Sequence, residues 1–146
     1  MKYSQSIEIL LPRQRVVELF NNPENLMKWQ PGFIRHEHVS GNPGEEGAKA
    51  RLVYRMGKRN TEMIETITLN KLPEAFHGRY ETEGARNNQQ NFFKEKSASV
   101  TQWTSVSEFI FSNPVMKIMG WIMPGAFKKQ SYLFMEKFKE FAESEK

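Results

Sequence analysis

The stretch FKKQSYLFMEKFKEF, residues 127–141, repeats with the period of a helix. Its apolar or small residues recur every three or four positions, at Phe127, Ser131, Phe134, Phe138 and Phe141. Because an α-helix has about 3.6 residues per turn, these side chains share one face, and lysines and glutamates fill the other face. A helix of about twenty residues is about 30 Å long, enough to cross a small domain. The pattern predicts a long amphipathic helix that covers one face of a sheet.

Short turn signals divide the residues before this helix. Clusters of glycine, proline, asparagine and charged residues lie at 41–47, 57–60, 71–73, 83–85 and 94–97. The segments between them have the length and composition that are typical of β-strands. Connections this short favour antiparallel pairing of consecutive strands. We therefore predict six successive antiparallel strands before the long helix.

One further strand and two short helices precede those six strands. The β-rich residues 2–10 predict the strand, which ends at Pro12. Pro12 suits a first helical turn, and the apolar stripe of the helix that follows consists of Val16, Val17, Leu19 and Phe20. Asn22 can cap a second, shorter helix, which ends at 29–32. The order of elements predicts an α+β fold, a curved antiparallel seven-stranded sheet wrapped around a long C-terminal helix.

Composition limits the chemistry that the chain can perform. It has 146 residues, a formal net charge of +4 and no cysteine, which excludes disulfides, thiol nucleophiles and thiolate metal sites. All 17 acidic residues are glutamate, so neither an Asp-containing triad nor the usual Asp-led calcium loop can be written. No repeat and no apolar run long enough to span a bilayer is visible. We expect one domain over 1–146, located in the cytoplasm.

Spaced apolar, Pro, Gly and Trp positions give the chain a family resemblance. They lie at 9–12, 17–20, 22–24, Trp29, Gly41, Pro43, Gly44, Gly47, 63–65 and 101–103. With the terminal helix, this pattern resembles the SRPBCC or START-like superfamily, and most of all its polyketide cyclase/dehydrase-like branch. The resemblance implies a helix-grip fold with a deep ligand cavity between sheet and helix. Members bind lipids, sterols, quinones, polyketides and plant hormones, and only some of them are enzymes.

Alternation along the strands independently favours a cavity. The inner face would carry Ala50, Leu52, Tyr54 and Met56; Met63, Glu65, Ile67 and Leu69; Phe76, Gly78, Tyr80 and Thr82; and Thr101, Trp103, Ser105, Ser107, Phe109 and Phe111. Small or polar residues such as Ala50, Gly78 and Ser105 stand among large aromatic ones, which fills space poorly. An apolar pocket with a few polar groups is one result, and an irregular core is the other.

Glu65 is the residue with the sharpest chemical implication. Its apolar neighbours of the same parity predict that its carboxyl group faces the interior. Burial would raise the pKa of this carboxyl, and the protonated form could donate a hydrogen bond to a ligand or act as a general acid. The alternatives are a purely structural Glu65 that is satisfied by Tyr54, Tyr80 or an arginine, and a bulge that turns it outward.

The histidines and the basic stretch predict no further site. His36 and His38 share a face, but a third metal ligand is not evident, and His77 lies on another strand without ligand spacing. We therefore expect surface histidines and no metal. The basic residues Arg51, Arg55, Lys58 and Arg59 are explained by a solvated outer sheet face, so no nucleic acid partner is expected.

Residues 114–125, PVMKIMGWIMPG, are apolar on nearly every side. Their methionines and tryptophan form an adaptable apolar surface, and the flanking Pro and Gly residues could act as hinges of a gate over the pocket. The equal alternative is a short core helix that closes one end of the sheet. The segment is too short to span a membrane, and shallow contact with a membrane surface is left open.

These observations favour a binding or carrier protein for a small hydrophobic ligand such as a lipid, quinone or polyketide, without a cofactor, as a monomer or weak dimer. We expect ligand contacts from Trp29, Leu52, Tyr54, Met56, Met63, Glu65, Ile67, Tyr80, Trp103, Met119, Met123, Phe127 and Phe134. One alternative is a cyclase or aromatase in which Glu65 works with Tyr54 or Tyr80. Another is a co-chaperone-like interaction module that uses its outer surface.

Overall fold

The computed structural model describes residues 1–145 and contains one antiparallel sheet of seven strands. The strands are β1 Lys2–Ile9, β2 Phe33–Ser40, β3 Lys49–Met56, β4 Arg59–Lys71, β5 Ala75–Thr82, β6 Ala85–Ser97 and β7 Val100–Phe111. Their spatial order is β1-β7-β6-β5-β4-β3-β2, so β1 and β2 form opposite edges of the sheet. The predicted six strands in succession and the seven-stranded sheet are confirmed.

The helices occupy the two predicted regions. They are α1 Arg13–Phe20, α2 Leu26–Trp29, α3 Pro114–Ile122 and α4 Pro124–Ser144, and a short 3-10 turn covers Pro23–Asn25. As predicted, Asn22 caps the second helical segment, where its side chain accepts a hydrogen bond of 3.0 Å from the backbone N–H of Glu24. The helices α1 and α2 connect the two edges of the sheet, and α4 is the long C-terminal helix. The α+β helix-grip architecture is therefore confirmed.

Two details of the strands differ from the sequence expectations. The turn predicted at 94–97 is wrong, because β6 continues through Ser97 and the chain reverses just after it. The charged residues at 94–97 form the exposed end of β6, and the turn lies at residues 98–99. Leu69 does not share the inner face with Glu65, because a register shift after Ile67 places it opposite His77. A β-bulge inserts one extra residue into a strand, so the side chains that follow it alternate with the opposite parity.

Strand β1 holds α4 along one side of the sheet. The Tyr3 hydroxyl lies 2.6 Å from Ser131 Oγ, and the side chain of Gln5 donates a 2.9 Å bond to the carbonyl of Lys128. Nearer the C-terminus, Lys139 Nζ donates a 2.6 Å bond to the carbonyl of Glu8. Because these bonds tie the helix to the β1 edge, the concave face of the strands farther from β1 is left uncovered.

The close-packed core lies at the C-terminal half of α4. There Met135, Phe138 and Ala142 are essentially inaccessible to solvent and pack against β1, α1 and the buried side chains of Phe93 and Trp103. Phe138 makes edge contacts with the rings of Trp29 and Trp103 at centroid distances of 5.1 and 5.4 Å. The N-terminal half of α4 lacks this packing, so space remains between it and the sheet.

Helix α3 lies on the outside of the fold. Its one buried residue is Gly120, where a Cβ would lie 2.8 Å from the ring of Phe111. Large side chains on the rest of the helix are exposed, including Val115, Ile118 and Trp121. The alternative of a core helix is therefore wrong, because α3 touches the sheet end through its smallest residue. Within residues 1–145 no helix is both long and apolar enough to cross a membrane.

Candidate functional site

A cavity of about 810 Å³ lies between the concave face of the sheet and α4. This volume falls in the range of about 300 to 1,000 Å³ that is usual for small-molecule sites. Its floor is aromatic, because Phe20, Trp29, Phe76 and Trp103 line it. Phe20 stands at the centre of this floor and contacts the rings of the other three at centroid distances of 5.5 to 6.5 Å. The floor continues directly into the packed core.

Small residues on the inner face keep the cavity open. Ala50 and Ser107 are buried in the sheet, yet their side chains are too short to reach α4. Gly78 has a different role, because a Cβ there would lie only 3.1 Å from ring atoms and the hydroxyl of Tyr80. The missing side chain at Gly78 therefore makes room for the Tyr80 ring against the strand.

The polar centre of the cavity is a row of side chains across four strands. Ala50 pairs with Glu65, Glu65 with Tyr80, and Tyr80 with Asn87. Directly opposed residues on antiparallel strands have side chains close enough to interact. Because Ala50 leaves space on one side of Glu65, its carboxyl group faces the cavity with Tyr80 as its neighbour. This position agrees with the parity prediction for Glu65.

Burial governs the ionisation of this polar centre. It raises the pKa of the Glu65 carboxyl above its ordinary value, while a hydrogen bond with Tyr80 and the charge of His36 act in the opposite direction. The pKa values of Tyr54 and Tyr80 are also raised, chiefly by burial and then by the negative charge of Glu65. Both phenols therefore keep their protons at neutral pH, and Glu65 takes up a proton more readily than an exposed glutamate.

Tyr54 and Tyr80 have different partners. The Tyr54 hydroxyl donates a 2.5 Å hydrogen bond to the side-chain oxygen of Gln30, and its ring meets Phe33 edge-on. Tyr80 is the phenol that forms a hydrogen bond with Glu65, whereas Tyr54 interacts with Glu65 only through its charge. Of the two partners considered for Glu65 from the sequence, the structure therefore brings Tyr80 to it, and Tyr54 anchors the chain that follows α2.

An amide wall on β6 was missed by the sequence analysis. Asn87, Gln89 and Asn91 line the cavity at alternate positions of this strand. Gln89 Nε2 donates a 3.1 Å bond to Ser105 Oγ, and the Trp103 indole N–H donates a 2.9 Å bond to Asn91 Oδ1. Residues 87–91 are all amides, so polarity does not alternate along them. The parity of the buried Phe93 on the same strand is the signal that could have identified the inner face.

One hydrogen-bond donor in the cavity wall lacks a partner. The indole nitrogen Nε1 of Trp29 is buried and makes no hydrogen bond to the described residues. Trp29 lines the cavity, and buried donors are nearly always paired in folded proteins. This N–H has almost no accessible surface, so it adds nothing to the polar groups that a ligand in the cavity could reach.

The cavity wall is exposed at two places, beside β2 at His38, Pro43 and Gly44, and at the end of α4 that is remote from the core. The second opening, called the mouth below, is bordered by Met56 and Gly57 in the β3–β4 hairpin, by Arg86 at the start of β6, and by Phe127 and Gln130 in the first turns of α4. Met56 is exposed, as expected for a residue at a rim. A ligand can therefore reach the aromatic floor from solvent along the N-terminal half of α4.

The cavity contains most of the residues that were expected to contact a ligand. Those that line it are Trp29, Leu52, Tyr54, Met56, Met63, Glu65, Ile67, Tyr80, Trp103, Phe127 and Phe134. Met119 and Met123 do not line it. Met119 lies on α3 and Met123 separates α3 from α4, and both side chains are about half exposed, because α3 packs on the sheet end through Gly120.

The histidines of β2 also differ from the expectation. His36 pairs with Leu52 and His38 with Ala50, so both belong to the inner face and contribute to the cavity wall. The edge position of β2 leaves His38 exposed all the same. Among residues 1–145 no group of three potential metal-binding side chains comes together.

The first arginine of the basic stretch lies on the outer face of the sheet. There Arg51 forms ion pairs of 3.3 and 3.8 Å with Glu37 and Glu62.

We expect Glu65→Gln to stabilise the protein at neutral pH but not at acid pH. Burial raises the pKa of the Glu65 carboxyl above 4.5, so its contribution to stability is full below about pH 4.5. That contribution is lost as the pH rises through the raised pKa, and each unit of the rise costs about 1.4 kcal/mol. Urea denaturation across pH measures the difference. The exposed Glu136→Gln variant is the control, and identical pH profiles for Glu65→Gln and the parent protein would contradict the expectation.

Solved structures share this fold over nearly its whole length. The Zhui aromatase/cyclase from a Streptomyces species superposes with a TM-score of 0.79 at 11% identity, covering 98% of this chain and 93% of that chain. A conserved protein from Geobacillus kaustophilus gives 0.77 at 17% identity, covering 97% and 95%. Norcoclaurine synthase from Thalictrum flavum, solved with dopamine and hydroxybenzaldehyde, gives 0.74 at 13% identity, covering 100% and 88%.

The chain has the helix-grip fold that these structures share. Their low identity shows the fold alone, because proteins of one fold carry out many different functions. No protein-family model matches the chain, and no curated protein matches its sequence.

Proposed function

We propose that this protein binds a small, largely apolar molecule between the sheet and α4 and acts as its carrier. The observation that carries the proposal is the cavity of about 810 Å³ with an aromatic floor and a few polar groups. Ligand sites of this kind take affinity from buried apolar surface and orientation from a small number of hydrogen bonds. A bound apolar molecule would bury the aromatic floor, which is favourable in proportion to the apolar area removed from water.

The polar groups favour a ligand that carries oxygen at one end. Glu65 and Tyr80 lie together on the inner face, and both hold protons more firmly than exposed groups do. A protonated carboxyl or phenol donates a hydrogen bond to a carbonyl or hydroxyl oxygen. The floor around Phe20 suits rings, which stack or meet aromatic side chains edge-on. A ring-bearing molecule with a carbonyl or hydroxyl group, such as a quinone or polyketide, fits this arrangement better than a plain alkyl chain.

One observation favours an enzyme as the second candidate. A carboxyl of raised pKa beside the Tyr80 phenol, inside a cavity, is the arrangement of a general acid next to a hydrogen-bond donor. In a cyclase or aromatase, Glu65 would protonate a ligand carbonyl while Tyr80 holds it. The two candidates differ at Glu65→Gln, since an enzyme would lose turnover with little loss of affinity, whereas a carrier has no turnover to lose.

We expect the cavity to bind apolar fluorescent probes in a saturable way. Because Trp121 is exposed and Trp29 and Trp103 are buried in the cavity wall, the Trp121→Phe variant leaves only cavity tryptophans to report. Titration with anilinonaphthalene sulfonate and with the uncharged phenylnaphthylamine should change their emission at one probe per chain. Emission that rises linearly with either probe, without saturation, would contradict the proposal.

A further inference from the structure

Several exposed large hydrophobic side chains lie together on α3. Val115, Ile118, Met119 and Ile122 follow one another at helical spacing, so their side chains share a face, and all are exposed. Trp121 beside them is 84% exposed. Large exposed hydrophobic residues elsewhere, such as Leu10 and Met27, stand singly. A contiguous apolar patch marks a surface that contacts something apolar.

The charged residues of the chain segment that contains this face are all lysines. Between Glu108 and Glu136 the chain has no acidic residue, and it carries the exposed lysines Lys117, Lys128 and Lys129. Lys117 belongs to α3 itself, and the other two lie in the first turns of α4. An apolar helix face with flanking lysines matches a bilayer surface that contains anionic lipids, where the lysines meet phosphate groups.

Helix α3 also lies next to the mouth of the cavity. One residue, Met123, separates it from α4, whose Phe127 borders the mouth. At its other end, the backbone N–H of Ser112 donates a 3.0 Å bond to the carbonyl of Gly84 in the β5–β6 hairpin. Arg86 of the same hairpin lines the cavity. A flat surface against α3 would therefore face the opening of the cavity.

We propose that α3 docks on the surface of a bilayer that contains anionic lipids. The side chains of Val115, Ile118 and Ile122 enter the boundary between headgroups and acyl chains, and Trp121 lies at the level of the headgroups, where tryptophan is favoured. Docking would place the mouth of the cavity against the membrane, so an apolar ligand could pass between the two without crossing water.

A second copy of the chain suits this face less well. Self-association through a two-fold axis brings the same surface of both copies together. In such a contact the segment 109–135 of each copy, whose charged residues are all lysines, would lie near the same segment of the other. Repulsion between like charges opposes such a dimer, whereas anionic lipid headgroups neutralise the same lysines.

Vesicle binding tests the proposal directly. We expect the parent protein to cosediment with phosphatidylcholine vesicles that contain phosphatidylglycerol, and to bind pure phosphatidylcholine at least about tenfold more weakly. Binding should move the emission of the exposed Trp121 to shorter wavelength, and brominated acyl chains should quench it. Ile118→Glu should abolish binding. Met27→Glu, a substitution at an equally exposed apolar residue near the far end of α4, should leave it unchanged.

Four outcomes would overturn the proposal, and the last of them concerns a variant of the cavity. The first is no binding to anionic vesicles by the parent protein. The second is equal loss of binding in Ile118→Glu and Met27→Glu. The third is a concentration-dependent dimer in sedimentation analysis that Ile118→Glu abolishes, with no vesicle binding, which would assign the face to a second copy. Ala50→Phe, which fills the cavity, should still bind vesicles, and loss of binding in that variant would mean that lipid uptake, not docking, had been measured.

Discussion

Ala50→Phe should abolish ligand binding while the protein stays folded. Ala50 lies on the inner face beside Glu65, so a phenyl ring at this position projects into the cavity over the polar centre. The ring projects into the cavity and not into the packed core, and stability should therefore be unchanged or higher. Affinity for an apolar probe should fall by at least about tenfold, which corresponds to about 1.4 kcal/mol.

A matched substitution on the next strand controls for this effect. Ile64 adjoins Glu65 in β4, but its side chain lies on the outer face, opposite Arg51 and Glu81. Ile64→Phe adds an aromatic ring at nearly the same position of the sheet without entering the cavity. Affinity should be that of the parent protein in this variant. Equal affinity of Ala50→Phe and Ile64→Phe would show that the probe binds outside the cavity.

Phe138→Ala should destabilise the protein by about 3 to 5 kcal/mol, the usual cost of removing a buried phenyl ring. Phe138 is inaccessible to solvent and contacts the rings of Trp29, Trp103 and Phe20. Small domains are stable by only about 5 to 15 kcal/mol, so the variant should approach the limit of folding. The midpoint of urea denaturation measures the change.

The same helix supplies the control for this second prediction. Leu133 is partly exposed on α4, and Leu133→Ala removes a side chain of comparable apolar character from the same element. We expect a loss below about 1 kcal/mol, because alanine favours the helix and little buried surface disappears. Similar losses in the two variants would mean that the C-terminal half of α4 is not the core of the fold.

The periodicity of hydrophobic residues was sufficient to predict the elements of which only one face is buried. The spacing of Phe127, Phe134 and Phe138 predicted α4, and the parity of Met63 and Ile67 predicted that Glu65 faces the interior. In both cases a hydrophobic face contrasts with a polar one along a single element. Such contrast is a local property, so the sequence displays it without knowledge of the neighbouring elements.

The features that were not predicted depend on neighbouring elements. Leu69 lies on the face opposite to the one predicted because of a register shift between β4 and β5. No residue type near it predicts a bulge. The amides of β6 line the cavity although their strand shows no alternation of polarity. The apolar composition of α3 indicates burial, yet its Gly120 contact with Phe111 leaves most of the helix outside. Whether an apolar segment is covered is decided by what packs on it, which the segment itself does not encode.

Native mass spectrometry after incubation with a total lipid and metabolite extract of cells tests the binding proposal most directly. We expect a complex of one small molecule per chain for the parent protein and for Ile64→Phe, and none for Ala50→Phe. The mass of the retained molecule would also identify its chemical class. Bound molecules on all three proteins alike, or on none of them, would contradict the proposal that the cavity between the sheet and α4 is a ligand site.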